Sequence, residues 1–461
     1  MTVPTDPPAR PGPPLRITVR PVAPQVVRFL RTEAGSAVVL LAATVAALVW
    51  ANSPWSDAYT TFWGTTAGVG VGGHGLVMDL HAWVNDALMA VFFLVIGLEI
   101  NRELTTGELR NRRTATVPAL GALGGLVVPA LLFLAIAGRS DGAHGWGIVM
   151  STDTAFVVGV LALFGPRCPD QLRLFLLTLA VVDDIGAITV MAVFYTDHVS
   201  LAWLGASVLL VVALVVVRLM GEWRLTPYLL LGIALWGTVH ASGVHATLAG
   251  VVLGLVVPAR LARREDVEAV PRYARTLSLE TTAEREHLTE LAARAAVPPA
   301  ERLQRVLHPW SAYVVVPLFG LANAGISLTG DSLAAGATST VTVAVVVALV
   351  VGKTVGVFAA SSLALLTGIG DLPGRVRWTH LLGGSVLTGI GFTISLFVTE
   401  LAFDDEALVA QAKIGVLTAS LIAAVLGSVT LRFFGERSPL CTPDDGPPAA
   451  LPPRPWVAPP A

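Results

Sequence analysis

Apolar stretches long enough to cross a membrane recur along this chain from about residue 35 to about residue 431. A helix needs about 20 mostly apolar residues to cross the hydrocarbon core of a bilayer. Of the 461 residues, 54% are hydrophobic and only 13% are charged, whereas soluble domains carry about 25% charged residues. Because a soluble core of this length cannot bury so much apolar surface, we predict an all-α, polytopic membrane protein.

The charges and cysteines exclude several other classes of protein. The chain has 30 Lys and Arg against 32 Asp and Glu, so it lacks the basic excess of a nucleic-acid binder. Its high hydrophobicity excludes a disordered protein. Cys168 and Cys441 are too few for a disulfide scaffold or a cysteine-rich metal site. We therefore expect the lipid bilayer, and no nucleic acid, as a partner.

Hydropathy predicts about twelve transmembrane helices. Their approximate ranges are 35–52, 80–101, 114–138, 147–165, 173–194, 200–217, 226–239, 243–258, 307–327, 338–367, 379–399 and 408–431.

The basic residues predict the orientation of these spans, because Lys and Arg are retained on the cytoplasmic side. If the N-terminus is cytoplasmic, 27 of the 30 basic residues fall on that side, and the opposite loops hold only Arg139. The other two, Lys353 and Lys413, lie inside apolar segments. A wrong number of spans would scramble this alternation, so we expect both termini in the cytoplasm.

The same pattern predicts the domain organisation. Residues 1–30 and 436–461 are rich in proline and are predicted to be disordered cytoplasmic tails. Residues 31–435 form the twelve-helix domain, with 259–306 as a long cytoplasmic loop. Within that loop, EREHLTELAAR has charges at helical spacing and predicts a short exposed helix.

Asp183 and Asp184 are the most unusual residues, because ionisable groups inside a span cost about 2.5–3.5 kcal/mol each. They lie near the middle of LLTLAVVDDIGAITVMAVF. Adjacent helix positions are about 100° apart, so the two carboxylates point to different faces. A buried carboxylate with a like charge nearby favours its protonated form, and its oxygens also suit a small hard cation. A proton and Na⁺ or Li⁺ could therefore compete for this pair, although two structural carboxylates are the alternative.

Other charges lie in or near the spans. Lys353 lies well inside a span, where it can offset a carboxylate or lose its own proton. The sequence does not distinguish these two roles. Asp86 could instead make a structural hydrogen bond, and Glu99 and Lys413 are near enough to span ends to reach the interface.

Two spans carry residues that interrupt a helix. The fourth span has Ser151, Thr152, Asp153 and Thr154 at its centre, residue types that favour helix starts. The eleventh span reads LLGGSVLTGIGFTISLFV, with glycines at its centre. Interrupted segments at matching places in two halves indicate a transport site near the middle of the membrane. Asp153 and Lys353 are the candidates to neutralise the helix ends at these breaks.

Seven motifs, in this order, closely resemble the NhaA family of Na⁺/H⁺ antiporters from about residue 30 to 435. They are VNDALMAVFFLVIGLEINREL, STDTAFVVGVLALFG, LAVVDDIGAI, SGVHATLAGVVLG, VLHPWSAYVVVPLFGLANAGISL, VVGKTVGV and GIGFTISLF. The resemblance implies inverted repeats with two interrupted helices that cross at the midplane. It also implies electrogenic exchange of cytoplasmic Na⁺ or Li⁺ for external protons in a bacterial cell membrane, for pH and sodium homeostasis. No cofactor, a homodimer and activation at alkaline pH are further family traits.

The resemblance also implies roles for particular residues. Asp183 and Asp184 form the site for the transported cation and the proton, with Asp184 the primary ligand by our hypothesis. Asp153 and Thr152 lie next to that site on the interrupted helix. Lys353 matches the intramembrane lysine of the family, for charge compensation or proton coupling.

Three further acidic residues match family positions outside the cation pair. Asp86 matches an aspartate beside the cytoplasmic funnel, and Glu99 and Glu103 match acidic positions tied to the pH response. His245 lies in a family motif, but we assign it no direct role. Two departures, Asn101 in place of a basic residue and Gln304-Arg305 in place of an acidic residue and a histidine, lie where the family's pH response is assigned.

Three alternatives remain open on the sequence. Gly368-Ile369-Gly370-Asp371 and Pro118-Ala119-Leu120 match motifs of intramembrane aspartyl proteases, but Asp371 lies in a polar turn. Gly352-Lys353-Thr354 resembles the end of a P-loop but lacks its first glycine. A cation-coupled solute symporter of similar architecture is the strongest alternative, and it would need a further pocket for an organic solute.

Overall fold

The computed structural model describes residues 33–71, 74–110, 112–164, 170–196, 199–259, 264–327, 336, 338–371 and 378–437. Helices dominate these residues, so the predicted all-α class is confirmed. In chain order, the first half contains α1 (Glu33–Ala51), α2 (Ser56–Trp63), α3 (Leu80–Thr105), α4 (Arg112–Ala137), a 3₁₀ helix (Asp141–Val149), α5 (Thr154–Phe164), α6 (Asp170–Phe194), α7 (Leu201–Leu219), α8 (Thr226–Ala241) and α9 (Thr247–Val256). The second half contains α10 (Arg264–Leu279), α11 (Ala283–Ala295), α12 (299–323), α13 (Thr340–Leu366), α14 (Trp378–Leu387), α15 (Phe392–Ala402) and α16 (Glu406–Arg437).

Each of the twelve predicted spans corresponds to helical structure. Within the described residues, six single helices are long and apolar enough to cross a bilayer: α3, α4, α6, α7, α13 and α16. Three bent pairs also qualify when each is taken as one span, which raises the number to nine. The other three predicted spans correspond to the shorter α8 and α9 and to α12, so twelve crossings stay a prediction.

The two predicted interruptions are present. The 3₁₀ helix and α5 meet at an angle of 47° around residues 150–153, and α14 and α15 meet at 42° around residues 388–391. The sequence did not predict a third, sharper bend of 116° between α1 and α2. The long helices next to the two predicted breaks are α4 and α6 in one half and α13 and α16 in the other.

The structure also contains a two-stranded hairpin, which the sequence did not predict. Strands β1 (Thr66–Val71) and β2 (His74–Asp79) pair antiparallel, with Thr66 opposite Asp79. Trp83 of α3 donates its indole N–H to the Ala67 carbonyl oxygen at 2.8 Å, which ties the hairpin to α3. Glycine is unfavourable in strands, so the glycine-rich sequence of this hairpin does not predict strands.

Glycines let the helices around the site approach each other closely. A Cβ added at Gly250 of α9 would lie 2.1 Å from the Ala90 carbonyl oxygen of α3. A Cβ at Gly124 of α4 would lie 2.3 Å from the Gly356 carbonyl oxygen of α13. Small residues at such crossings are typical of membrane helix packing. These close contacts fix the position of α3, which carries Glu99, and of α13, which carries Lys353.

The long loop is largely helical where it is described. The helix predicted from EREHLTELAAR is confirmed as α11, with Arg294 and Glu290 paired at 2.5 Å across one helical turn. The predicted disordered tails, 1–30 and 436–461, lie outside the described residues, except that α16 includes residues 436 and 437.

Candidate functional site

The two interrupted spans contact each other at their breaks. The backbone N–H of Asp153 donates to the Ile390 carbonyl oxygen at 2.6 Å, and the Thr152 hydroxyl donates to the Thr388 carbonyl oxygen at 3.0 Å. Carbonyls left open at the end of α14 are thereby satisfied by the break in the other span. The sequence predicted both breaks, and the structure shows that they form one unit.

Asp153 binds the N-terminal ends of α5 and α15, the two half-helices that follow the breaks. One carboxylate oxygen accepts from the Phe156 N–H of α5 at 3.2 Å, and the other accepts from the Thr393 N–H of α15 at 2.9 Å. The Thr393 hydroxyl also donates to the second oxygen. Because helix N-termini carry partial positive charge, one buried carboxylate offsets two of them. The geometry supports the predicted neutralising role of Asp153.

Lys353 lies between the other charged groups of the site. Its Nζ donates to Asp183 Oδ2 at 2.5 Å and to the Met150 carbonyl oxygen at 2.5 Å, and neither side chain of the ion pair is exposed. Met150 follows the 3₁₀ helix, so Lys353 offsets both a carboxylate and the partial negative charge of a helix C-terminus. The structure therefore places the ammonium group of Lys353 directly beside Asp183.

The two neighbouring aspartates have different surroundings, as their angular offset predicted. Asp183 is held by Lys353 through Oδ2, while its buried Oδ1 has no hydrogen-bond partner within the part of the chain that the structure describes. Among the described residues, Asp184 accepts one long hydrogen bond, from the Ser151 hydroxyl at 3.4 Å, and it lines a cavity. Of the two neighbouring aspartates, Asp184 is therefore the one that an ion entering the cavity would meet.

The cavity beside Asp184 has a volume of about 140 Å³. Thr152, Asp153 and Thr393 line it together with Asp184, and Glu99 and His308 line it farther along α3 and α12. His308 is exposed, and we take this end of the cavity as its mouth. The negative charges of Asp183 and Glu99 act on Asp184. A cation that entered would reduce this repulsion between carboxylates.

Asp86 and Glu103 do not line this cavity. Asp86 lies 13 residues before Glu99 on α3, which is about 20 Å at 1.5 Å per residue. Its carboxylate lies 3.6 Å from His240 Nδ1, at the opposite end of the helix from the mouth. The role of Asp86 beside the cytoplasmic funnel stays a prediction. Glu103 is one turn beyond Glu99, with a contact to Arg102 at 3.6 Å.

The family model described as Na⁺/H⁺ antiporter 1 matches residues 27–431. The chain belongs to the Na⁺/H⁺ antiporter 1 family. This confirms the family resemblance seen in the motifs.

Several curated relatives carry NhaA names. A Na⁺/H⁺ antiporter NhaA 3 from Frankia alni is 60% identical over 98% of this chain and 98% of its own length. Na⁺/H⁺ antiporters NhaA from Rhizobium meliloti and Syntrophobacter fumaroxidans are 46% and 43% identical, over 88% and 89% of this chain and 93% and 90% of theirs. A solved structure, the sodium proton antiporter MjNhaP1 of Methanocaldococcus jannaschii, covers 90% of this chain and 98% of its own at 10% identity, with a TM-score of 0.45 that is too low to support an argument.

Of the two departures from the antiporter family pattern, the one at Asn101 has a structural explanation and the one at Gln304 has none. Asn101 is buried, and its amide nitrogen lies 3.0, 3.1 and 2.7 Å from the carbonyl oxygens of Gly254, Leu255 and Val257. It therefore satisfies the C-terminal end of α9, a role that the sequence did not predict. Gln304 is also buried, and nothing in the structure explains that departure.

Neither the protease-like motif nor the P-loop-like motif lies where its chemistry could take place. The side chain of Asp371 is 70% exposed and lies 4.0 Å from Arg113, in contrast to the buried aspartates of the site. Lys353, at the end of the P-loop-like sequence, is buried in its ion pair with Asp183. His245, to which we assigned no role, contacts the Tyr195 carbonyl oxygen through Nε2.

We predict that Asp153→Asn lowers the free energy of unfolding by about 1–3 kcal/mol, because charge-assisted hydrogen bonds to two helix ends are weakened. It should also raise the KM for Na⁺, since both half-helices lose their fixed position beside Asp184. Thermal unfolding in detergent and transport assays measure the two effects. Asp141→Asn, at an exposed position at the start of the 3₁₀ helix, is the matched control. Equal stability of the two variants would contradict the prediction.

Proposed function

We propose that this chain exports cytoplasmic Na⁺ or Li⁺ in exchange for external protons, electrogenically, in a bacterial cell membrane. The observation that carries the proposal is the difference between the aspartates. Asp184 is open to a cavity, while Asp183 has one oxygen bound to Lys353 and one free of hydrogen bonds among the described residues. Asp184, the free Asp183 oxygen and the nearby Thr152 hydroxyl are oxygen ligands of the kind that small hard cations prefer.

The proposed mechanism is competition at this carboxylate pair. With the cavity open to the cytoplasm, Na⁺ displaces protons from Asp183 and Asp184. The interrupted spans then move against the rest of the protein and open the loaded site outward. Protons outside displace the cation and return with the site. Moving one net charge is worth about 2.3 kcal/mol per 100 mV, so the voltage can drive the cycle along with the proton gradient.

The orientation of the chain in the membrane and its assembly into a homodimer are part of this proposal. The positive-inside distribution supports cytoplasmic termini, and it puts the exposed His308 end of the cavity on the cytoplasmic side. Glu99 and Glu103, near that end of α3, are proposed to shape the pH response. We keep Asp86 as a candidate for that response, but from the opposite end of the helix. The homodimer remains a proposal based on the family resemblance.

The size of the cavity favours ion exchange over solute symport. Pockets for small organic ligands commonly occupy about 300–1,000 Å³, whereas the cavity at Asp184 holds about 140 Å³. A dehydrated alkali cation needs far less room than an organic solute. A second cavity, lined mainly by apolar residues of α3, α8 and α9, holds about 250 Å³ and is also smaller than these pockets. The sizes of the two cavities therefore favour antiport.

The proposal is tested with a pH-gradient dye in inverted membrane vesicles. After respiration acidifies the interior, Na⁺ and Li⁺ should release protons and restore the fluorescence, while K⁺ should not. Because protons compete for the site, the KM for Na⁺ should fall as the pH rises. Calorimetry on the purified protein should show proton release when Na⁺ binds. Sodium binding without proton release at any pH would refute the mechanism, and dependence on an organic solute would favour symport.

A further inference from the structure

A buried tyrosine connects the helix of the two aspartates to the first half of an interrupted span. Tyr195 comes directly after α6, and it is 3% exposed. Its hydroxyl accepts a hydrogen bond from the Gly147 N–H at 2.9 Å and donates one to the His144 carbonyl oxygen at 2.6 Å. Both of these groups belong to the 3₁₀ helix. The exchange mechanism proposed above does not use this contact.

The hydroxyl lies within the hydrogen-bonding pattern of the 3₁₀ helix. In such a helix, the carbonyl of one residue pairs with the N–H of the third residue after it. His144 and Gly147 are spaced in this way, and the Tyr195 hydroxyl binds both of the groups that this turn would pair. A hydroxyl can accept and donate at the same time, so it satisfies both groups. The contact therefore fixes this turn of the 3₁₀ helix to the end of α6.

The glycine at position 147 leaves the space that the hydroxyl occupies. A Cβ added at Gly147 would lie 2.5 Å from the hydroxyl oxygen of Tyr195 and 2.7 Å from a carbon of its ring. The ring also packs against His144, with 4.9 Å between the two ring centroids. A side chain at position 147 would therefore displace the hydroxyl from its two partners.

The backbone of Tyr195 is held as well. Its carbonyl oxygen accepts a hydrogen bond from Nε2 of His245, which lies just before α9. Its N–H donates to the Met191 carbonyl oxygen of α6 at 3.3 Å. The end of α6 is thus fixed on one side by the backbone of Tyr195 and on the other side by its hydroxyl.

These contacts close a loop around the cation site. Lys353 donates to Asp183 of α6 and to the carbonyl oxygen of Met150, which follows the 3₁₀ helix. Tyr195 returns from the 3₁₀ helix to α6, 11 residues after Asp184, which is roughly 16 Å along the axis. The 3₁₀ helix is therefore attached to α6 at two separate points. Because of this, α6 and this half of the span would move as one unit in the proposed cycle.

We propose that Tyr195 is a positioning residue of the cation site, whose hydroxyl holds the first half of the interrupted span in register with α6 and so sets the affinity for the cation. This rests on the proposed exchange function. Ser151 and Thr152 follow the 3₁₀ helix and bring their hydroxyls to Asp184 and to the cavity. Binding groups must be held to within about 0.5 Å to be effective. Without the tyrosine hydroxyl, these groups shift while the carboxylates and Lys353 stay, so cation binding weakens and turnover persists.

Tyr195→Phe tests the proposal in liposomes that contain the purified full-length protein. We expect the KM for Na⁺ to rise about two- to tenfold, as loss of one buried hydrogen-bonding group predicts, with the maximal rate unchanged. Tyr228→Phe is the matched control, because Tyr228 is fully buried and its hydroxyl donates to the Glu222 carbonyl oxygen at 3.0 Å, away from the cavity. Equal KM values in the two variants would overturn the proposal, and so would a lower maximal rate at unchanged KM.

Gly147→Ala breaks the same contact from the other side and should raise the KM in the same way. Gly205→Ala in α7 is its control, since a Cβ added there lies within 4 Å of no described atom. Calorimetry should show the Kd for Na⁺ rising by the same factor as the KM. If Gly147→Ala does not fold, Tyr195→Phe alone decides. An unchanged Kd in Tyr195→Phe would show that the hydroxyl only stabilises the fold. Failure of the unsubstituted protein to exchange Na⁺ for protons would instead refute the proposed function.

Discussion

We expect Asp184→Asn to insert and fold normally but to lose Na⁺-dependent proton movement down to background. Asp184 lines the cavity, and its one described hydrogen bond is the long contact with Ser151. Its carboxylate is therefore free to bind a proton or a cation. Asparagine is nearly isosteric with aspartate, but it carries no negative charge and does not exchange a proton at physiological pH. Proton release on addition of Na⁺ or Li⁺ to inverted vesicles measures the effect.

Asp371→Asn is the matched control for this variant. Asp371 is the exposed aspartate of the protease-like motif, and its 4.0 Å pair with Arg113 lies at the surface. Exposed ion pairs contribute about 0–1 kcal/mol, so this control should keep full exchange. Exchange retained by Asp184→Asn at normal expression would show that Asp184 is not the primary ligand.

The breaks and the aspartate pair could be predicted because their residue types are unusual in a span. Asp183, Asp184 and the Ser-Thr-Asp-Thr run violate the apolar pattern locally, so sequence alone reveals them. The partners of these residues could not be predicted. Asp153 accepts from the Thr393 N–H, which lies 240 residues away along the chain. Hydropathy carries no information about such distant contacts.

Lys413 shows where reasoning from one segment ends. The sequence places Lys413 near enough to a span end to reach the interface, whereas the structure shows a 2.5 Å ion pair with Glu400 of α15. That pairing depends on how two helices pack, which the sequence of one segment does not contain.

Lys353→Met should lower the free energy of unfolding by about 3–5 kcal/mol, because it leaves the carboxylate of Asp183 buried without its partner. Asp183→Asn alone should destabilise in the same way by leaving the lysine unpaired. The double variant should recover most of the loss, since no buried charge then remains in the pair. Thermal unfolding of the four proteins in detergent measures this cycle, and additive losses would contradict the ion pair as the main interaction.

Transport by the Lys353→Arg variant then distinguishes the two roles considered for the lysine, charge compensation and proton transfer. Arginine keeps the positive charge but does not release its proton in proteins. If Lys353 only balances Asp183 and the Met150 carbonyl, this variant should keep Na⁺-dependent proton exchange, with a possible change in the charge moved per cycle. Complete loss of exchange in a variant as stable as the unsubstituted protein would instead mean that Lys353 itself carries a proton. Charge movement on a solid-supported membrane, compared with the dye signal at the same pH, distinguishes these results.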